Sequence, residues 1–161
     1  MEKKHVISVW VENKFGVLSK VSGLFSSRGY NIQSLSVGET EDPEISRMTI
    51  VVKGDDRIME QVKKQLHKLI DTFKVVDFVE QRFINKELCF LKVNTKGKER
   101  SELLAIASAY DAQVLDIGSR SMTLQIVDHE DRVEDFIQII TPFGILEVVR
   151  SGAVAIAQDE K

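Results

Sequence analysis

The chain is written twice. Over 161 residues, one succession of apolar patterns runs from residue 4 to about 80 and recurs from about 87 to 157. In the first copy, residues 4–12 alternate, with His5, Ile7, Val9 and Val11 on one face and Val6, Ser8, Trp10 and Glu12 on the other. Period-two alternation is a strand signal. Residues 16–28 switch to helical spacing through Val17, Leu18, Val21, Leu24 and Phe25, and Gly29 stands where a helix-ending glycine belongs. Strands are expected at about 31–38 and 46–53, a helix at about 56–70 through Ile58, Val62, Leu66 and Leu69, and a strand from Lys74 to about Glu80. The second copy gives strands at about 87–94, 113–118, 121–127 and 145–157, with helices at about 99–110 and 130–140. Local matches tie the copies together. Met48-Thr49-Ile50 parallels Met122-Thr123-Leu124, and Ile70 to Val76 parallels Ile140 to Leu146.

The order β-α-β-β-α-β, taken twice, predicts an α+β protein of two ferredoxin-like domains, over 1–80 and 85–161. Right-handed crossovers put the strands in the order 4-1-3-2 with both helices on one face, so the second and fourth strands are edges. Each unit is near the lower size limit for a self-sufficient core, which favours association. The loop after the first strand and the start of the second strand are expected at the same end of the sheet. The stretch Tyr30 to Ser36 carries no Lys or Pro to block edge pairing, so it invites a twin strand from another copy.

Composition removes several function classes. A formal charge of −3 argues against a nucleic-acid binder. The third strand displays no aromatic residue, and the first only Trp10, where an RNA-recognition sheet needs stacking rings. There is no phosphate loop, nucleophile elbow or zinc-protease motif. His5, His67 and His129 are scattered and read as structural or solvated, and no Cys/His spacing suits a metal. Cys89, in an apolar run, reads as a small buried hydrophobe, and Gly54-Asp55-Asp56 as a turn with a helix cap. No apolar run would span a bilayer, and Met1-Glu2-Lys3-Lys4 leads into a strand without a secretory core, so the expectation is a cytoplasmic chain with no membrane partner.

One place invites a ligand. Glu12-Asn13-Lys14-Phe15-Gly16-Val17-Leu18 opens a helix with no acidic residue in its first turn, leaving backbone N–H groups and a positive dipole end to hold a carboxylate. Asn13 and Asn31 could read the rest of a small amino acid. The second copy differs here: Asn94 to Arg100 makes a different and more charged turn. The acidic stretch Glu39 to Glu44 reads as a solvated connector.

At these residues the chain resembles the small, regulatory subunit of acetohydroxyacid synthase (acetolactate synthase), an ACT-domain family. The similarity is densest in Glu12-Asn13, Gly16 to Ser19, Gly23 to Ser26, Arg28 to Ile32, Ser46 to Ile50 and Gln61 to Leu69, and looser afterwards, with Ile117, Thr123 and Arg150-Ser151-Gly152 the clearest points. Residues 95–110 depart most. The resemblance implies a non-catalytic subunit that activates a thiamine-diphosphate-dependent catalytic subunit and confers feedback inhibition by valine or a related branched-chain amino acid. It implies that thiamine diphosphate, Mg²⁺ and FAD reside in that partner and that this chain binds no cofactor. It implies an ACT domain over 1–80 for effector binding and homodimerisation, followed by a regulatory-subunit domain over 85–161. Its effector residues map to Asn13, Gly16 and Asn31, and the chemistry adds Val17, Leu18 and Ile32. The N–H groups around Gly16, Val17 and Leu18 would hold the carboxylate. The amide oxygen of Asn13 or Asn31 would take the ammonium, and Val17, Ile32 and a facing subunit would enclose the side chain. The exposed sheet face of the first domain and the connector at 39–44 are the candidate contacts with the catalytic subunit. The competing readings are an ACT-type sensor for a different enzyme, and a stand-alone ferredoxin-like enzyme, which would need a pocket of titratable groups.

Overall fold

In a computed structural model, residues 2–96 and 99–159 are described. Gly97 and Lys98, within the charged turn of the second copy, lie outside them. The chain runs β1 (Lys3–Glu12), α1 (Val17–Ser27), β2 (Ile32–Glu39), β3 (Ile45–Gly54), α2 (Asp56–Lys68) and β4 (Thr72–Asp77). After one 3₁₀ turn at Phe78–Glu80 it continues through β5 (Phe83–Asn94), α3 (Arg100–Ala109), β6 (Gln113–Ile117), β7 (Ser121–Asp128), α4 (Glu130–Ile140) and β8 (Ile145–Ala157). These make two four-stranded sheets, β2-β3-β1-β4 and β6-β7-β5-β8. The expected strand order holds in both, so the fold is the doubled ferredoxin-like α+β arrangement. One compact unit comprises the chain up to Ile84 together with the segment from Ala153 onward, and the other comprises Asn85–Gly152.

In the first unit, β1 and β4, β1 and β3, and β2 and β3 all pair antiparallel. The inward residues Ile7, Val9, Val11, Met48, Ile50 and Val52 meet Val17, Val21 and Phe25 of α1 and Met59, Val62 and Leu66 of α2 in one buried cluster. The helices differ at their starts. Asp55 caps α2, its carboxylate accepting from Arg57 N at 2.7 Å; Asp56 lies in the first turn and His67 and Lys68 in the last, which complements the helix dipole. α1 has no side-chain cap and no acidic residue in its first turn.

Two expectations are corrected. β1 and β2 are each antiparallel to β3, hence parallel to each other. The crossover through α1 returns the chain to the end of the sheet where β1 began. Ile32 therefore sits in the row of Val52 and His5, whereas Glu39 sits in the row of Ser46 and Val11. Asn31 is at the end of the sheet opposite to Asn13, separated by about the length of β2, roughly 25 Å.

The outer sheet face is also not a free surface. Residues from the end of β8 cover it: Ala153 and Ala155 pack with Val6, Val51 and Phe78, and Phe78 stacks on Phe83 at 4.9 Å between ring centroids. Polar groups on this face find partners beneath that cover. Arg47 donates to Ser8 Oγ and, at 2.8 Å, to the Ala155 carbonyl, while Ala155 N donates to Thr49 Oγ1. The β1 alternation thus serves two buried faces, because the chain supplies its own second layer.

In the second unit, Cys89, Leu91 and Val93 of β5 and Met122, Leu124 and Ile126 of β7 pack against Leu103 and Ala107 of α3 and Val133, Phe136 and Ile140 of α4.

Candidate functional site

β1 ends at Glu12, opposite Ile45 of β3. The chain then turns, with Lys14 N donating to Glu12 O, and reaches Gly16 at φ 81°, ψ −11°. That left-handed conformation suits glycine and is costly for most other residues. It lets the chain enter α1 directly, with Val17 only 2% exposed and anchored in the core. Lys20 N bonds to Gly16 O at 3.0 Å, so helical bonding begins there. The N–H groups of Val17, Leu18 and Ser19 precede it and receive no side-chain cap. A Cβ on Gly16 would meet nothing within 4 Å, so the space beside Gly16, at the start of the helix, is open. Leu18 is partly exposed beside it.

Asn13 is held on three sides. Its backbone N–H donates to Glu44 O at 2.7 Å, and its side-chain nitrogen donates to Glu39 Oε1 at 3.1 Å and to the Pro43 carbonyl at 2.9 Å. Both amide N–H groups are spent on the end of β2 and the connector after it, so the orientation is fixed and Oδ1 is the atom left to accept. The connector is thus solvent-exposed, as read from sequence, but it also braces the turn.

The next layer is ionic. Lys14 Nζ lies 2.6 Å from Glu12 and 2.9 Å from Asp71, and Lys20 Nζ lies 3.0 Å from the other oxygen of Asp71. The Glu12 carboxylate, and then that of Asp71, holds the Lys14 ammonium well above its usual range. Hydrogen bonds from Lys14, then Lys20, hold Asp71 below the usual carboxylate range. Beside this turn lies a cleft of about 580 Å³, lined among others by Asn13, Asp42, Pro43, Ile45 and Phe73.

Of the six residues expected to form the site, Asn13, Gly16, Val17 and Leu18 come together in one chain. Asn31 and Ile32 do not, lying at the far end of β2. Lys14 lies in the turn itself, but its partner Asp71, and Glu39 and the Pro43 carbonyl on Asn13, were missed. Their sequence distance from the turn leaves no local signature, since Asp71 is 57 positions from Lys14 and Glu39 is 26 from Asn13.

The other flagged residues have structural places. His5 is 2% exposed, with its ring nitrogens 3.3 Å from carboxylates of Asp77 and Asp56. His129 caps α4, accepting from Asp131 N, and His67 is exposed. Cys89 is fully buried, and burial pushes its thiol up to about 11. Among the described residues no group of three or more His, Cys, Asp or Glu side chains is placed to hold a metal, and no helix is long and apolar enough to cross a membrane.

A βαββαβ unit whose first helix opens on an unblocked glycine turn is an ACT-type domain, here followed by a second unit of the same topology. Residues 7–74 match the AHAS small subunit-like ACT domain, and residues 86–159 match the domain described as the small subunit of acetolactate synthase. The chain belongs to the acetolactate synthase small-subunit family. It is 44% identical over 158 residues to a probable acetolactate synthase small subunit of Archaeoglobus fulgidus, covering 98% of this chain and 99% of that one. It is 43% identical over 159 residues to the acetolactate synthase small subunit of Haemophilus influenzae, covering 98% of each. The crystal structure of the acetolactate synthase small subunit from Thermotoga maritima superposes with a TM-score of 0.90 at 32% identity, over 99% of both chains.

Proposed function

We propose that this chain is the non-catalytic regulatory subunit of a cytoplasmic acetohydroxyacid synthase. It binds and activates the thiamine-diphosphate-dependent catalytic subunit and makes it sensitive to a branched-chain amino acid such as valine. Thiamine diphosphate, Mg²⁺ and FAD belong to that partner, and the first unit binds effector and dimerises while the second forms the further regulatory domain. The observation that carries this reading is the uncapped start of α1 at Gly16, with Asn13 Oδ1 oriented by the connector. Backbone N–H groups and the helix dipole favour a carboxylate, and an amide oxygen nearby favours an ammonium. An α-amino acid carries both.

The placement of Asn31 gives the dimer a chemical purpose. β2 is an eight-residue edge strand next to β3. A second copy pairing along β2 about a two-fold axis runs antiparallel, so its residue 32 falls beside residue 39 of the first. The partner's Asn31 and Ile32 then arrive at the end that carries Asn13 and Gly16. Each site takes its carboxylate cradle from one chain and its far wall from the other. Effector binding thereby favours one arrangement of the pair, and a coupling of about 1–3 kcal/mol is what regulation requires. Valine, leucine and isoleucine differ by a methyl group or its position, worth roughly 1–3 kcal/mol in such a pocket.

Reconstitution tests the proposal. The purified chain forms no acetolactate alone, raises the rate of its catalytic subunit, and renders that rate sensitive to valine. Acetolactate formation by the chain alone, or no effect on the catalytic subunit, overturns it.

A further inference from the structure

Two large apolar side chains stand out of the first unit almost fully exposed. Phe15 is 104% exposed and Ile70 91%, whereas the next most exposed large hydrophobic among the described residues, Val149, is 60%. Single exposed apolar residues are ordinary, but a group of them is not. These two lie in turns that are fastened together. Phe15 follows Lys14, Ile70 precedes Asp71, and Lys14 Nζ is 2.9 Å from Asp71 Oδ1 while Glu12 N donates to Asp71 O at 2.8 Å. A third joins them. Val11 pairs with Thr72 and Trp10 with Lys74, which leaves Phe73 as the extra residue of a β-bulge, 57% exposed. Bulges re-aim side chains next to sites. Phe73 is turned into the cleft that Pro43, Asp42 and Glu44 also line.

The charge and the position identify the occupant. Glu41, Asp42 and Glu44 are exposed on the connector beside this cleft. The ammonium groups of Lys14 and Lys20 beside it are both committed to Asp71, and that of Lys14 to Glu12 as well. The surface is apolar with an acidic border, and it complements an apolar pocket bordered by Lys or Arg. A second copy of this chain paired along β2 would end beside the connector and would not reach Phe73. β4, with Phe73, is the opposite edge of the sheet, three strand spacings or roughly 14 Å away from β2.

We infer that the turns carrying Phe15, Ile70 and Phe73, with the acidic connector beside them, are the surface on which the catalytic subunit docks, through a basic-rimmed apolar pocket. The inference rests on the regulatory-subunit reading above. It puts Phe15 in the effector turn itself, between Asn13 and Gly16, and ties the turn of Ile70 and Phe73 to it through the ion pair of Lys14 with Asp71. Asn13 likewise joins the effector turn to the connector. A shift of the 13–16 turn on effector binding is therefore felt directly at the docking surface.

The test measures binding of the full-length chain to its catalytic subunit, with valine titration of the chain alone as the control. Ile70→Ser and Phe73→Ser are each expected to weaken association by about tenfold or more, as central apolar contacts do. Glu41→Lys with Glu44→Lys is expected to slow association and flatten its salt dependence. Valine binding by the isolated chain stays unchanged in these variants, and so does the unfolding midpoint, because the side chains are exposed. Wild-type association in both serine variants overturns the docking assignment and leaves the regulatory reading standing. Failure of the wild-type chain to bind its catalytic subunit removes both. If the serine variants instead lower the mass of the free chain while binding the catalytic subunit normally, the surface serves self-association and the inference is wrong.

Discussion

The two units share a topology and differ at the corresponding corner. In the first, α1 begins at a left-handed glycine with no acidic residue in its first turn, and the end of β2 supplies Glu39 to hold Asn13. In the second, α3 begins after Glu99 in a right-handed conformation and carries Glu102 in its first turn. There Arg100 reaches across to the chain just past β6, donating to the carbonyls of Gly118 at 2.6 Å and Ser119 at 3.2 Å. One helix start is open to an anion. The other carries its own carboxylate, and its Arg100 is held by the chain just past β6. Fold alone therefore does not make an effector site; the residues of one turn do.

The comparison first demands that the two units be equivalent as scaffolds. Phe25 and Phe136 are both fully buried and sit in the two separate cores. Alanine at either position is expected to cost about 3–5 kcal/mol. Denaturant unfolding of the two variants checks this, and a much smaller loss for Phe136→Ala would show that the second core is not an equal partner.

Function should break that symmetry. Gly16→Asp places a side chain where the backbone is left-handed and sets a carboxylate over the open N–H groups of α1. Valine binding is expected to fall by roughly 100-fold, about 2.7 kcal/mol, with activation of the catalytic subunit retained. Calorimetry on the chain and inhibition curves on the reconstituted enzyme read the two effects separately. Unchanged inhibition would remove Gly16 from the site. Glu102→Gln in the second unit should leave valine binding untouched.

The fold was legible because both repeats keep their periodicities clean. Strand order and most boundaries follow from β-α-β-β-α-β and the handedness of crossovers. The misjudged end of β2 came from following the loop and not the strand direction: two strands joined through a helix run parallel, so their starts share an end. The covering of the first sheet by Ala153 and Ala155 was invisible because small residues at the end of a long strand carry no sign of what they pack against. Asn13 and Gly16 were legible as a turn before an uncapped helix. Glu39 and Asp71 were not, since each meets the turn only after the sheet has formed.

The position of Asn31 sharpens the comparison further. Asn13→Ala and Asn31→Ala are each expected to weaken valine by about tenfold, as the loss of a hydrogen bond to a charged group does. Mixed dimers separate a shared site from a local one. When each site draws Asn13 from one chain and Asn31 from the other, a dimer of one variant with the other has one intact site and one doubly damaged site. Isolated mixed dimers then bind with high affinity at half the stoichiometry of the wild type, and a random equimolar mixture of the two proteins at about a quarter. If mixing restores nothing, Asn31 does not cross the seam.

The smallest effect concerns Glu39, and it asks whether the brace on Asn13 works by orientation or by charge. Its carboxylate accepts one amide N–H at 3.1 Å, and the Pro43 carbonyl accepts the other at 2.9 Å. Glu39→Ala removes one acceptor and lets the amide turn, at an expected cost of about 0.5–1.5 kcal/mol in valine affinity. Glu39→Gln keeps an oxygen in place while deleting the charge. If orientation is the function, glutamine restores affinity nearly to the wild-type value. If the negative charge itself attracts the ammonium, glutamine behaves like alanine, and both losses shrink as salt is added. The second unit provides the precedent for orientation: there the neutral backbone carbonyls of Gly118 and Ser119, just past β6, accept from Arg100.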